Sequence, residues 1–194
     1  MAKRTIDVPP FPTLTWDHSF WTADDVLPSW AGTQDRSGPY SSRSGDAPST
    51  GRVKLFIRPP GDRVMAPSSE QIAAYQFLKQ NDAVIAEGAL KAIFDRYPEW
   101  KESYGCDDEE AAELMPALAA PEDLRRLVGL GTAHILNIAK DGHAYYGLEL
   151  GCSWDDEHGV GVLFHKGRVT DVGQADTSFN VWPAKDDGGA ELES

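Results

Sequence analysis

The chain has little cysteine and no long apolar run, and each shortage excludes a class of protein. Two cysteines in 194 residues, Cys106 and Cys152, cannot form the disulfide framework of a small secreted domain. No apolar stretch approaches the roughly 18 residues of a membrane span, and none follows the basic start as in a signal peptide. We therefore expect a cytoplasmic protein in a reducing compartment.

Positive charge is also scarce, since 18 Lys and Arg residues face 31 Asp and Glu residues and the formal net charge is −13. A surface with this balance repels phosphate backbones and anionic lipid head groups. We therefore expect neither nucleic acid nor a membrane as partner. A basic protein, in contrast, would be steered towards such a surface.

The composition changes along the chain and predicts three regions. Residues 1–50 are rich in Pro, Gly, Ser and Trp, which predicts an irregular Trp/Pro-rich arm packed on the main body and a mobile Ser/Gly-rich loop. Residues 51–183 carry regular patterns and predict a single domain, because a chain of this length can bury one core. Residues 184–194 are polar and acidic, which predicts a disordered tail.

Helix signals dominate the first half of the predicted domain, after a strand predicted over 53–58. Ser68 and Gln71 have the spacing of a capping box and predict a helix over about 69–79. A second helical pattern over 82–97 ends where Pro98 disfavours helix at the preceding residue. Two further helix starts are predicted, at the acidic run Cys106–Glu113 and at Pro121–Val128.

The pattern changes to that of strands after Gly129. Strands are predicted over 132–139 and 143–152 about an Asp141-Gly142 turn, and two more over 160–165 and 168–172. The predicted fold class is therefore α+β, an antiparallel β-meander of about four to six strands with two to four helices packed on one face.

The densest group of functional residue types lies between two predicted strands and comprises Trp154, Asp155, Asp156, Glu157, His158 and Gly159. Asp side chains hydrogen-bond local backbone in such connections, and glycine permits a tight turn. Trp154 then anchors the segment in the core. We interpret the segment as one that fastens two strands and presents charge, with no catalytic residue.

Two alternatives stay open at this cluster. Asp155, Glu157 and His158 could bind a divalent metal ion if the turn makes them converge, with Asp156 or a second histidine as the base of a metal-dependent hydrolase. The segment matches none of the established metal spacings, so the preferred expectation is no cofactor. The other alternative is a purely structural or scaffold protein.

Residues 154–162 also carry a resemblance. Their sequence, Trp-Asp-Asp-Glu-His-Gly-Val-Gly-Val, resembles the Trp-Asp-x-Glu-His-Gly-x-Gly-Val signature of a bacterial family of uncharacterised domains. Tyr97-Pro98 and the approach from Gly147 to Cys152 extend the resemblance over most of the chain from Val53 onward. Some relatives neighbour polymorphic toxins, which implies by association an immunity-like, non-catalytic domain. Its partner would be a basic protein such as a toxin, bound by an acidic surface that includes 155–158.

Overall fold

Backbone pairing joins most of the chain into one sheet. The computed structural model describes residues 4–62, 64–104, 109 and 113–193. Its sheet has nine strands: β1 Thr5–Ile6, β2 Leu14–Asp17, β3 Phe20–Ser37, β4 Arg43–Ile57, β5 Val128–Lys140, β6 His143–Cys152, β7 Val160–His165, β8 Arg168–Gly173 and β9 Ala190–Glu191. Among the strands of the described residues, β1 to β8 are neighbours in chain order, β9 pairs with β5, and only the β4–β5 pair is parallel.

The α-helices that the structure describes over their full length are α1 Ser69–Gln80, α2 Asp82–Tyr104 and α3 Val181–Asp186, and residues 109, 113 and 114 are helical as well. The predicted capping box is present, because the Ser68 hydroxyl accepts from the Gln71 backbone N–H and the Gln71 side chain accepts from the Ser68 N–H. The helix predicted to end at Tyr97 instead continues through Pro98. Short 3₁₀ turns lie at Pro39–Ser41, Pro60–Asp62, Pro121–Arg126 and Ala175–Ser178.

The acidic run 106–113, predicted to begin a helix, lies outside the described residues except for Glu109 and Glu113. Among the described residues, no helix is long and apolar enough to cross a membrane.

The predicted meander of four to six strands is wrong, because the sheet has nine strands. The difference lies in the segment before residue 50, where the irregular arm and mobile loop were expected. The structure instead places Phe20–Ser37 and Arg43–Ile57 in a long hairpin, and β4 crosses the predicted boundary at residue 50. A polar stretch such as 43–50 can be a strand because its neighbour supplies the hydrogen bonds, which apolar periodicity does not reveal.

The expectation that helices cover one face is wrong as well, since both faces are covered. On the first face, Tyr146, Leu148 and Leu150 of β6 share a core with Ile85 and Leu90 of α2. On the second face, Leu136, Ile138, Tyr145 and Leu163 form a smaller core with Ala184 of α3.

Glycines line the rest of the second face and let two turns contact the sheet directly. A Cβ atom on Gly147 would lie 1.8 Å from the Ser178 carbonyl oxygen. Cβ atoms on Gly131 and Gly151 would lie 2.1 Å from the Ser41 hydroxyl oxygen and from the Ser41 carbonyl oxygen, respectively. No side chain fits in these contacts, so glycine is required where the turns approach.

Asp187 fixes the C-terminal segment to the sheet. Its carboxylate accepts hydrogen bonds from Tyr145 Oη at 2.7 Å and from Arg168 at 2.5 Å, and Lys140 Nζ lies 3.5 Å away. The hydrogen bonds from Arg168 and then Tyr145 lower the pKa of Asp187 to about 2. The ionised carboxylate is therefore favoured by folding.

We predict that Asp187→Asn lowers the free energy of unfolding by about 1 kcal/mol at neutral pH, since a partly exposed ion pair is screened by solvent. The carboxylate's pKa is lower in the folded state, so its contribution is complete above about pH 4 and is lost as the pH falls towards about 2. Thermal unfolding of both proteins across this range tests the prediction. A difference that stays constant down to pH 2 would contradict it.

Candidate functional site

The predicted cluster forms the connection between β6 and β7, called here the acidic loop (Trp154–Gly159). Trp154 is buried, and its ring lies 5.3 Å from the Tyr97 ring in an edge-on arrangement and 6.3 Å from the Trp100 ring. Trp100, which follows Pro98 in α2, thus packs against Trp154. Trp154 is a core anchor, and it fixes where the loop leaves the sheet.

Asp155 organises the loop from within. One carboxylate oxygen accepts from the His158 backbone N–H at 2.8 Å and lies 3.1 Å from the His158 ring Nδ1, and the other accepts from the Tyr104 hydroxyl. Burial raises the pKa of Asp155, but the hydrogen bonds from Tyr104 and His158 outweigh this effect and leave the pKa below its ordinary value. Asp155 is therefore an ionised acceptor whose two oxygens are both in use.

Asp156 ties the loop to the long hairpin. Its carboxylate lies 2.9 Å from Nη1 of Arg36, whose side chain is only 3% exposed. The same guanidinium donates to Gln34 Oε1 at 2.9 Å and 2.6 Å. This contact joins residues 120 positions apart in the chain.

The remaining loop residues face outward or shape the backbone. Glu157 is exposed and makes no hydrogen bond or ion pair within the described residues, and the His158 side chain is 57% exposed. Gly159 has a φ of +56°, and a Cβ there would lie 2.5 Å from the Leu150 carbonyl oxygen. The structure therefore brings Asp155 and His158 together and leaves Glu157 apart from them.

Metal binding at the loop and nucleophilic attack by the neighbouring Cys152 thiol are two chemistries that the geometry bears on. In the described part of the chain, no group of three or more His, Cys, Asp or Glu residues is arranged to hold a metal ion. The Cys152 thiol contacts the Asp155 carbonyl oxygen at 3.5 Å, and burial raises the pKa of the thiol to about 12. Cys152 is therefore protonated at neutral pH and unsuited to nucleophilic chemistry.

The turn at residues 38–42, called here the Ser41 turn, adjoins the acidic loop. Gly38, Tyr40 and Ser41 have φ values of +80°, +52° and +53°, in the left-handed region. Consecutive non-glycine residues rarely adopt this conformation, and each costs about 1 to 2 kcal/mol. Direct contact of Ser41 with the glycine-lined sheet holds the strained backbone in place.

A small cavity of about 150 Å³ lies between the Ser41 turn and the acidic loop. It is lined by Tyr40, His158, Gln174 and Asp176. Tyr40 is 45% exposed, and Asp176 is exposed as well. The Ala175 N–H donates to the His158 carbonyl at 2.9 Å, which fixes the two walls relative to each other.

A larger cleft of about 800 Å³ lies on the other side of the Ser41 turn, over the second sheet face. Strand pairing places Lys54 beside Thr132 and Thr132 opposite Glu149, so these side chains share the floor with His134. Glu149 Oε2 lies 3.0 Å from His134 Nε2, and Glu149 Oε1 accepts from the Ser41 hydroxyl at 3.1 Å. Tyr40 lines both cavities.

The sequence reasoning did not single out Ser41, His134 and Glu149 as a group. From the sequence, His134 was weighed only as a partner of the Cys152 thiol, Glu149 lay within a predicted strand, and Ser41 fell in a predicted loop. One available signal was the spacing of glycines by two positions beside predicted strands, at 129 and 131 before the strand predicted over 132–139 and at 159 and 161 at the start of the strand predicted over 160–165. Such spacing marks one sheet face that another backbone segment approaches closely.

We predict that Asp156→Ala lowers the free energy of unfolding by about 1 to 3 kcal/mol, because it removes an acceptor from the buried Arg36 guanidinium. Glu157→Ala is the matched control, since it removes a neighbouring carboxylate that has no partner in the described residues, and it should change stability by less than about 0.5 kcal/mol. Denaturant unfolding of both variants measures the two effects. Equal stability of the variants would show that the ion pair does not hold the loop.

Comparison with known proteins gives a family and no activity. No curated protein and no solved structure was found to match the chain. A family model described as a domain of unknown function (DUF6985) matches residues 49–179. The matched span includes His134, Glu149 and the acidic loop, and it starts after the Ser41 turn. The resemblance to an uncharacterised family is confirmed to that extent, while the signature and a bacterial origin stay predictions. The chain belongs to this family of domains of unknown function.

Proposed function

We propose that the chain is a non-catalytic protein-binding domain that holds a basic partner at an acidic patch. The patch comprises Glu157 of the acidic loop and the small cavity lined by Tyr40, His158, Gln174 and Asp176. The observation that carries the proposal is this cavity, which is lined by both an exposed aromatic residue, Tyr40, and an exposed acid, Asp176. A lysine or arginine side chain of a partner is the complement of that pair.

The charge distribution supports a cationic partner. Many of the chain's own cations are already paired, as Lys79 is with Asp25, Lys91 with Asp95 and Arg168 with Asp187. Neither Glu157 nor Asp176 has an ion pair within the described residues. These carboxylates are therefore available to a partner, and the net charge of −13 would increase its association rate.

More specifically, we propose an immunity-like role in which the basic partner is a toxin. It is supported by the same charge and by the position of the patch on a loop between two rigid strands, where recognition residues are often found. No comparable observation favours the metal-dependent hydrolase, because Glu157 lies apart from Asp155 and His158, and the described residues hold no group of three or more His, Cys, Asp or Glu side chains arranged for a metal ion. The scaffold alternative assigns no role to the cavity.

A paired-variant capture experiment tests the proposal. The full chain is tagged and used to capture proteins from its native host, as wild type, as the patch variant Glu157→Gln/Asp176→Asn and as the control Glu87→Gln/Glu102→Gln. Both variants remove two exposed negative charges, and the control removes them from α2. We expect one basic protein to be recovered by wild type and control, with recovery by the patch variant reduced about tenfold, a loss of 1.4 kcal/mol.

Salt supplies an independent criterion. Exposed charges are screened over about 8 Å at physiological ionic strength, so recovery by the wild type should fall as salt rises. The proposal is contradicted if the patch variant recovers the partner as well as the control does. It is also contradicted if no basic protein is recovered by the wild type at low salt.

A further inference from the structure

The large cleft has a buried carboxylate in its floor that the acidic patch does not use. Glu149 is 5% exposed, and its hydrogen-bond partners are the Ser41 hydroxyl and the His134 imidazole. A buried carboxylate is costly unless hydrogen bonds or an opposite charge compensate it. The Ser41 hydroxyl brings no charge to the carboxylate, and each carboxylate oxygen has a second acceptor position, so the floor of the cleft can take a further hydrogen bond from a cationic donor.

Aromatic rings run along the same cleft. The His134 ring lies 5.6 Å from the Phe56 ring and 5.1 Å from the Phe179 ring. Phe20 extends the row beyond Phe56 at 5.9 Å, and Tyr40 extends it beyond Phe179 at 6.4 Å. Ring faces carry negative partial charge and attract cations within about 6 Å, as aromatic cages for ammonium groups do.

An apolar compartment continues from the row of rings. It has a volume of about 240 Å³, and Phe56 and His134 line both this compartment and the large cleft. Phe20, Leu136 and Phe179 form much of its remaining wall. A ligand that reaches Glu149 can therefore place an apolar body here and remove it from water.

The charges at the rim do not reverse this preference. Lys54 Nζ lies 3.4 Å from the Asp24 carboxylate, and Arg36 is paired with Asp156. Among the described residues, Arg52 and Asp35 also line the cleft, and Arg58 lines the adjoining compartment. Asp24, Asp35 and Glu149 offset these cations, so the lining carries both signs of charge and is not a purely basic, anion-attracting surface.

We propose that this cleft binds a small primary amine with an aromatic body. The ammonium group lies against Glu149 within the row of rings, and the aromatic body occupies the compartment between Phe20 and Phe179. The site is separate from the acidic patch and shares only Tyr40 with it.

Three probes of similar shape separate charge from apolar burial: phenylpropylamine, phenylpropanol and phenylpropionate. Their dissociation constants for the full chain are measured by calorimetry at neutral pH, with the shift in melting temperature as a second readout. We expect the amine to bind at least about tenfold more tightly than the alcohol, a difference of 1.4 kcal/mol, and the carboxylate to bind more weakly than both.

Two variants locate the effect. Glu149→Gln should reduce amine affinity to that of the alcohol, while Asp46→Asn, which removes an acid outside the cleft, should leave the preference intact. Should Glu149→Gln fail to fold, Phe179→Leu serves instead, because it trims a half-buried ring and should weaken amine and alcohol alike by at least about threefold.

The proposal is overturned if the carboxylate probe binds best, if none of the three probes binds, or if Glu149→Gln keeps the full preference for the amine. The patch variant Glu157→Gln/Asp176→Asn should bind the amine as the wild type does. If this variant no longer captures the protein partner but still binds the amine, the two sites act independently. The two proposals can therefore fail separately.

Discussion

Direct contact between backbone turns and a glycine-lined sheet face is the constraint on which the rest of this structure depends. The turn around Ser41 rests on Gly131 and Gly151, and the 3₁₀ turn at Ala175–Ser178 rests on Gly147. At these distances any side chain on the sheet would displace the turn. The second face is therefore closed at two places by short segments, and the space left between and beside them forms the cavities.

The acidic loop holds the walls of these cavities in place. Trp154 fixes the loop in the core, Asp155 closes it on His158, and Asp156 holds Arg36 of the long hairpin. Because the hairpin continues into the Ser41 turn, the loop helps to set the wall between the small cavity and the large cleft. Of the six residues that suggested a site, Trp154, Asp155 and Asp156 thus make contacts that hold the loop in place, while the side chains of Glu157 and His158 are exposed.

The sequence was most informative where the physics is local. The capping box at Ser68 and the hairpin turn at Asp141-Gly142 are both present, because each depends on residues only a few positions apart. The position of Trp154 in the core also follows, since so large an apolar side chain is seldom left in water.

The sequence was least informative where the structure depends on pairing between segments that are far apart in the chain. Strand β4 is polar over its first half and becomes a strand through its neighbour β3. The pair formed by His134 and Glu149 depends on strand register, and its third member comes from the Ser41 turn, more than 100 positions before Glu149 in the chain. No short motif encodes such a group, although the alternate glycines mark the face on which it lies.

The most direct test of this account is chemical-shift mapping of Gly151→Ala by nuclear magnetic resonance, with Gly88→Ala as control. A Cβ at 151 would lie 2.1 Å from the Ser41 carbonyl oxygen, whereas a Cβ at 88 has its nearest neighbour 3.7 Å away. Gly151→Ala should shift the signals of Tyr40, His134 and His158 together while those of α1 stay unchanged, and Gly88→Ala should leave all three in place. Shifts confined to the immediate neighbours of residue 151 would contradict the claim that contact with the glycines positions the turn and both cavities.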